Sequence, residues 1–374
     1  MPGIYIHIPF CVKKCAYCDF PSFTAANRMR EYFNALRAEA ERCVSLASGR
    51  VFDSVFIGGG TPSLMPPGAA TKLLDEIRRC FALDAGAEIT MECNPGTVDA
   101  EKATEYAAAG INRVSIGLQS ADGGLLKRIG RIHSFEQFTG AFYALRDAGM
   151  NNINVDVMYG LPAQESWQFL DTLKKVCDMG PQHISAYSLI LEEHTPLYDA
   201  VIDSREALPD EDAVCAMQEA GYAFLEREGY MRYEISNFAL PGRACRHNLN
   251  YWQNGEYLGL GLGAHSAMRV AGRWTRWENA ATLEAYFGQD APSSLSAIPR
   301  EEEMFECIML GLRMVEGITL NAFKQRFGKP ITSIYGKAIE RLAKKGWLVI
   351  SGGRMRLTEQ GLDMENSALM EFMD

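Results

Sequence analysis

The run CVKKCAYCDF, residues 11–20, sets three cysteines in a C-x3-C-x2-C pattern directly after the strand-like segment GIYIHIPF, residues 3–10. Soft thiolates select zinc, copper(I) or an iron–sulfur cluster. A structural zinc site is closed by four ligands, and no second CxxC or HxxxH pair stands elsewhere to complete one. Cys93 and Cys245 are isolated, and His7 belongs to the strand-like run itself. The pattern therefore predicts three thiolates and one open coordination position. Three chance cysteines in a loop are the plain alternative.

Apolar, β-branched runs recur after this point: SVFIGGG, EITMECNP, RVSIGLQS, INVDVMYGLP and HISAYSLI. Between them, residues 27–47, 68–81, 100–109, 135–149 and 167–179 show helical spacing and helix-stopping glycines. With GIYIHI this makes six strands alternating with helices, which predicts a parallel sheet wound as α/β. Polar residues and glycines gather just after the strands: residues 58–61, Glu92 and Asn94, Gln119, and Asp156. Such folds place ligands at the carboxyl ends of their strands. Taken singly each residue reads as a turn or cap, but their coincidence points to a site.

The second half is less regular. A helix over 210–228 leads to an expected strand, YEISNF, and then to the glycine- and aromatic-rich stretch HNLNYWQNGEYLGLGLGAHS. The GLGLGAHS run, residues 259–266, lacks both the spacing and the βαβ setting of a dinucleotide loop. From about residue 300 three helical segments and a hairpin, LVISGGRMRLTEQG, resemble a winged-helix module. Its third helix carries Lys337, Arg341, Lys344 and Lys345, which are able to meet phosphate. A solvated charged face is the commoner reading of such a helix.

Composition narrows the class of partner. The 374 residues are 47% hydrophobic and 22% charged, and 37 basic against 47 acidic side chains leave a net charge of −10. A chain of that sign repels nucleic acid and anionic membranes, so neither is an expected partner. No run approaches the roughly 20 apolar residues of a membrane span, and the N-terminal residues have no signal-peptide core. A cytoplasmic protein is expected. Of the ten cysteines, seven lie scattered, such as Cys43, Cys80, Cys177 and Cys307, which fits a reducing compartment rather than a disulfide scaffold.

The C-x3-C-x2-C loop resembles that of the radical S-adenosylmethionine (SAM) superfamily. There Cys11, Cys15 and Cys18 would hold a [4Fe–4S] cluster whose fourth iron takes SAM. By the same resemblance GGGTP, with Gly59, Gly60 and Thr61, corresponds to the motif for the SAM amino group, and Glu92 of MECNP reaches its ribose or methionyl part. Tyr5, Gln119, Arg131 of RIGR and Asp156 match further SAM-contacting positions of one subfamily. From their residue types alone, Arg131 is equally able to cap a helix and Asp156 to pair with it.

That subfamily is the group around oxygen-independent coproporphyrinogen III dehydrogenase, and the resemblance runs from YIHIPFC through GGGTP, ECNP, GLQS, DVMYGLP and HNLNYW to the winged-helix-like end. It implies a partial (β/α)6 barrel over residues 1–195, a barrel-capping, haem-binding region over 196–299 and a C-terminal module over 300–374. The dehydrogenase loop continues to a fourth cysteine where Phe20 stands here, and its N-terminal extension has no counterpart before the first strand. The HNxxYW pattern of His247, Asn248, Tyr251 and Trp252 resembles instead the haem-chaperone branch. That branch implies haem held by His247 with Tyr251 and Trp252, His265 as a second ligand candidate, an acceptor protein and a reductant protein for the cluster. The alternatives are the dehydrogenase itself and a nucleic-acid-binding protein with structural cysteines.

Overall fold

Alternation along each early strand decides how the chain is layered. Ile4, Ile6 and Ile8 are wholly buried in the main core, and Tyr5 and His7 point the other way. The computed structural model describes residues 1–288 and 295–373. Strands β1 (Gly3–Ile8), β2 (Val51–Gly59), β3 (Ala82–Cys93), β4 (Arg113–Gln119), β5 (Ile153–Tyr159) and β6 (His183–Ser188) pair in parallel and in sequence order. Helices α1 (Met29–Cys43), α2 (Ala69–Cys80), α3 (Ala100–Ala108), α4 (Gly123–Arg128), α5 (Phe135–Asp147) and α6 (Ser166–Asp178) cover the apolar face. The chain thus forms the expected partial (β/α)6 barrel, with β1 and β6 not paired to each other.

Residues 196–299 do not stand apart. After α7 (Pro196–Ile202) and α8 (Glu211–Arg227), β7 (Met231–Arg232) and β8 (Asn237–Ala239) extend the β6 edge. The segment YEISNF is therefore mostly a turn, with only its last two residues in β8. Helix α9 (Arg246–Trp252) follows, and β9 (Tyr257–Leu260), β10 (His265–Val270), β11 (Arg273–Glu278) and β12 (Ser296–Ala297), with α10 (Leu283–Phe287) before the last, extend the β1 edge. Among the described residues one twelve-stranded sheet results.

The glycine-rich turn after β9 is a packing device. A Cβ on Gly259 would collide with the His265 carbonyl, and one on Gly261, whose φ is +99°, would meet the Tyr32 hydroxyl. Buried Glu39 of α1 then ties this turn to the barrel. It accepts from the Gly261 amide at 2.9 Å, Asn279 Nδ2 at 2.5 Å and the Tyr286 hydroxyl at 2.5 Å.

The C-terminal module has its own core, from Met304 to Phe372, separate from the core that runs from Ile4 to Tyr286. Helices α11 (Arg300–Gly311), α12 (Leu320–Phe327) and α13 (Ile331–Lys344) pack with a small sheet of β13 (Ile318–Thr319), β15 (Arg354–Leu357) and β14 (Leu348–Ser351). Arg341 and Lys345, on the face able to meet phosphate, are both paired with Glu371. Among the described residues no helix is long and apolar enough to cross a membrane.

Glu39→Ala strands three donors in the core, so it should lower stability by about 3 kcal/mol, read as an earlier urea midpoint. An unchanged midpoint would show that the β9 turn is held by packing alone.

Candidate functional site: a cavity inside the open barrel

The inner faces of β1–β6 carry polar side chains: Tyr5 and His7, Ser54, Glu92, Arg113 and Ser115, Asn154 and Asp156, Ser185 and Tyr187. Interlocking aliphatic layers fill a closed eight-stranded barrel, whereas here a cavity of about 730 Å³ remains. Cys11, Cys15 and Cys18 line it, together with Gly59, Gly60, Thr61, Glu92, Gln119, Arg131 and Asp156. Of the residues matched to SAM, only Tyr5 is outside this lining.

Backbone contacts hold the cysteine loop. Cys11 N–H donates to Phe23 O at 3.0 Å, and Ala16 N–H donates to Ile129 O at 2.9 Å. The second contact needs Gly130, where φ is +76° and a Cβ would sit 2.9 Å from Ala16 N. Tyr5 acts at one remove: its hydroxyl lies 3.0 Å from His7 Nδ1, and His7 Nε2 lies 2.9 Å from Pro21 O at the end of the loop.

The glycines of GGGTP are demanded by crowding. Gly59 has φ +110° and a Cβ there would meet the His7 ring at 2.5 Å; a Cβ on Gly60 would lie 2.9 Å from Phe10 N. Thr61 Oγ1 lies 3.5 Å from Cys11 Sγ and accepts from Asn94 Nδ2 at 2.9 Å. The Arg131 amide caps the C-terminus of α4, donating to Leu126 O at 2.9 Å, while its side chain makes no pair with Asp156 among the described residues. That side chain donates to Asn94 Oδ1 at 2.9 Å, to the Gly117 carbonyl, and toward Cys15 Sγ at 3.6 Å. Asp156 accepts from Asn154 Nδ2 at 2.7 Å and Ser115 Oγ at 3.1 Å.

Gln119 stands at a bulge between β4 and β5 with φ 69°, a conformation rare outside glycine. Its Oε1 accepts from the Tyr187 hydroxyl at 2.9 Å. Burial, and then the neighbouring Asp156, push the Glu92 carboxyl up to about 8, so it is largely protonated at neutral pH. Arg113 is 2% exposed, its Nε has no partner, and no side-chain hydrogen bond or ion pair reaches it among the described residues. Asn94, Tyr187, Asn154 and Arg113 join the site without having been singled out as ligand contacts from sequence. For the strand residues, the inward parity set by each strand's apolar positions was the available signal.

The HNLNYW helix divides its residues among three surroundings. His247 is 1% exposed, with Nδ1 2.9 Å from Ser54 Oγ and Nε2 3.0 Å from the Tyr251 hydroxyl. It stacks on Phe56 at 5.2 Å, and burial lowers it to about 3. In this conformation neither ring nitrogen is free for iron; the ring fastens α9 to β2. Asn248 faces the barrel cavity, whereas Trp252 faces a different cleft. His265 lies in neither; its exposed ring is 3.7 Å from Glu278.

Among the described residues no three His, Cys, Asp or Glu side chains converge as a single-ion site requires. Three partly exposed thiols on one cavity wall suit a multinuclear cluster that takes one thiolate per iron. Together with the open barrel and the glycine turn beside them, they define a radical SAM protein. Residues 5–176 match the Radical SAM superfamily model, and residues 298–364 match that of the HemN C-terminal domain.

The chain is 37% identical to the heme chaperone HemW of Escherichia coli (strain K12), over 99% of this chain and 98% of that one. It is 33% identical to HemW of Bacillus subtilis (strain 168), over 100% and 99%. It belongs to the heme chaperone HemW family. Radical S-adenosyl methionine domain-containing protein 1, mitochondrial, of Mus musculus is 33% identical over 99% of this chain and 87% of its own. The solved structure of coproporphyrinogen III oxidase (HemN) from Escherichia coli superposes with a TM-score of 0.85 at 23% identity, over 99% of this chain and 90% of that chain. That likeness establishes the fold.

The Glu92 carboxyl sets a pH dependence. Its folded value lies above the ordinary 4.5, so between about 4.5 and 8 the folded state binds more protons than the unfolded one, and this group's contribution to stability falls as pH rises. Without cluster or ligand, Glu92→Gln should gain on the wild type by up to about 1.4 kcal/mol per pH unit across that window, in urea unfolding at pH 5 to 8. A constant difference between the two proteins would show that Glu92 is ionised throughout.

Proposed function

We propose that this chain binds haem and hands it to an acceptor protein, and that it carries a [4Fe–4S] cluster on Cys11, Cys15 and Cys18 with SAM beside it. A reductant protein supplies the cluster's electron. The observation that carries the reading is the likeness to proteins named heme chaperone HemW over the whole chain, barrel and module together. When bound, the cluster supplies an electron to the sulfonium of SAM.

The chain's own residues divide the work of holding that pair. Gly59 and Gly60 keep the turn beside the cysteines free of side chains, so an amino-acid end is able to approach the backbone. Arg131 brings a fixed cation beside Cys15, suited to a carboxylate. Glu92 and Asp156 offer carboxyl groups to hydroxyls or an ammonium, and Gln119 an amide. Tyr5 serves by holding His7, and through it the loop.

The cluster assignment predicts that Cys11→Ala, Cys15→Ala and Cys18→Ala each lose iron and sulfide after anaerobic reconstitution. Cys93→Ala, buried at 3% exposure outside the ligand set, should keep both. SAM should change the electron paramagnetic resonance spectrum of the reduced protein. A spectrum indifferent to SAM would remove the open-iron assignment.

Because the barrel resembles that of HemN, radical decarboxylation of coproporphyrinogen III is the second reading. It needs a substrate propionate held within near-attack distance of the reacting group, and a fold keeps a cofactor site more readily than a reaction. Given reductant, SAM and coproporphyrinogen III, the protein should form no protoporphyrinogen IX. Divinyl product with release of carbon dioxide would promote the enzyme reading over the chaperone.

A further inference from the structure

A second cavity of about 720 Å³ lies between the barrel and the C-terminal module, within the range of ligand pockets of about 300–1,000 Å³. It shares no lining residue with the first. Leu249 and Trp252 of α9 form one wall, Met231 and Leu240 another, and Met314 and Phe323 of the module close it. Helix α9 thus contributes to both cavities, Asn248 to the first and Leu249 and Trp252 to the second.

The lining is apolar, with charge of one dominant sign. Arg232, Arg326 and Arg354 contribute three guanidinium groups against the single carboxylate of Glu316, on a chain whose net charge is −10. Arg354 is paired with Glu316 and Arg326 with Glu303, while among the described residues Arg232 donates only to the backbone carbonyls of Glu234 and Ile235. Two residues of the lining each carry a buried donor without an acceptor among the described residues: Trp252 Nε1 and Arg326 Nη2. Buried donors of this kind are costly unless something accepts from them. A ligand that fits is flat and apolar over most of its area and carries anionic groups at one edge.

We propose that haem occupies this interdomain cleft, with its macrocycle against Trp252, Leu249 and Phe323 and its propionates toward the arginines. The proposal rests on the haem-chaperone reading. It replaces His247 as the iron ligand, since that ring is sealed behind β2. No histidine lines the cleft, and Met231, Met314 and Cys307 are its sulfur donors. Met231 is 63% exposed at the cleft, which leaves haem a way in.

Hemin titration tests the site. Ala322 lines the cleft and is exposed, so Ala322→Trp fills space without entering either core. It should weaken hemin binding at least tenfold, with an unchanged urea midpoint as the check on folding. Arg232→Gln should weaken hemin more than hemin dimethyl ester, and the wild type should itself prefer hemin to the ester. The wild-type spectrum should lack imidazole ligation. Wild-type affinity in both variants, or a histidine-ligated spectrum lost in His247→Gln, would overturn the cleft while leaving the chaperone reading in place. Failure of the wild type to bind hemin at all would overturn both.

Discussion

Glu88 of β3 accepts the Arg246 amide at 2.9 Å, the His247 amide at 3.4 Å and the Cys245 thiol at 3.4 Å. One carboxylate thereby meets the unsatisfied amides at the start of α9 and fastens that helix to the inner face of the barrel. Much else follows from this attachment. With α9 in place, His247 reaches Ser54 and Phe56, Asn250 Nδ2 reaches the Glu256 carbonyl at 2.9 Å, and β9 is led onto the free edge of β1. A barrel stopped at six strands leaves two edges and a polar interior. The chain after β6 covers both edges and supplies the helix that bounds the interior.

The polar interior has an energetic consequence that bears on function. Buried polar groups are costly unless paired, and most here are paired in chains: Asp156 with Asn154 and Ser115, Asn154 with His183, His183 with Tyr233. Arg113 breaks the pattern. Burial opposes its charge, yet Cys245, Glu88, Tyr233 and Asp156 nearby hold the guanidinium above its ordinary value. Such a network over-determines its members, and Gln119, at a positive φ, is tied separately to the Tyr187 hydroxyl. The site is therefore largely preformed, and a ligand meets side chains whose positions are already set.

With haem in the second cavity, as we propose, the two-part architecture has a physical reason. The cluster end of the barrel calls for polar, preorganised contacts with a small charged molecule. A porphyrin calls for a wide apolar cleft and a means of opening it. The second cavity is apolar in most of its lining and shares no residue with the first, and α9 touches both.

Periodicity and spacing alone established the six parallel strands, five helices between them to within a few residues but not the short α4, and the gathering of polar positions at strand ends. These are local features: a period of two or 3.6 residues records which face is buried, and glycine records a turn. The three-cysteine loop was legible for the same reason, its ligands being adjacent in sequence. The direction of the HNLNYW side chains was not. His247, Asn248 and Trp252 lie within six residues, yet one is sealed against β2, one faces the barrel cavity and one faces the cleft. Which surroundings each meets depends on strands that come from up to about 190 residues away in sequence, as the Ser54–His247 contact at a separation of 193 shows. The YEISNF turn, the edge strands and the second cavity share that origin: they arise from pairing and packing between distant segments, so only the tertiary structure decides them.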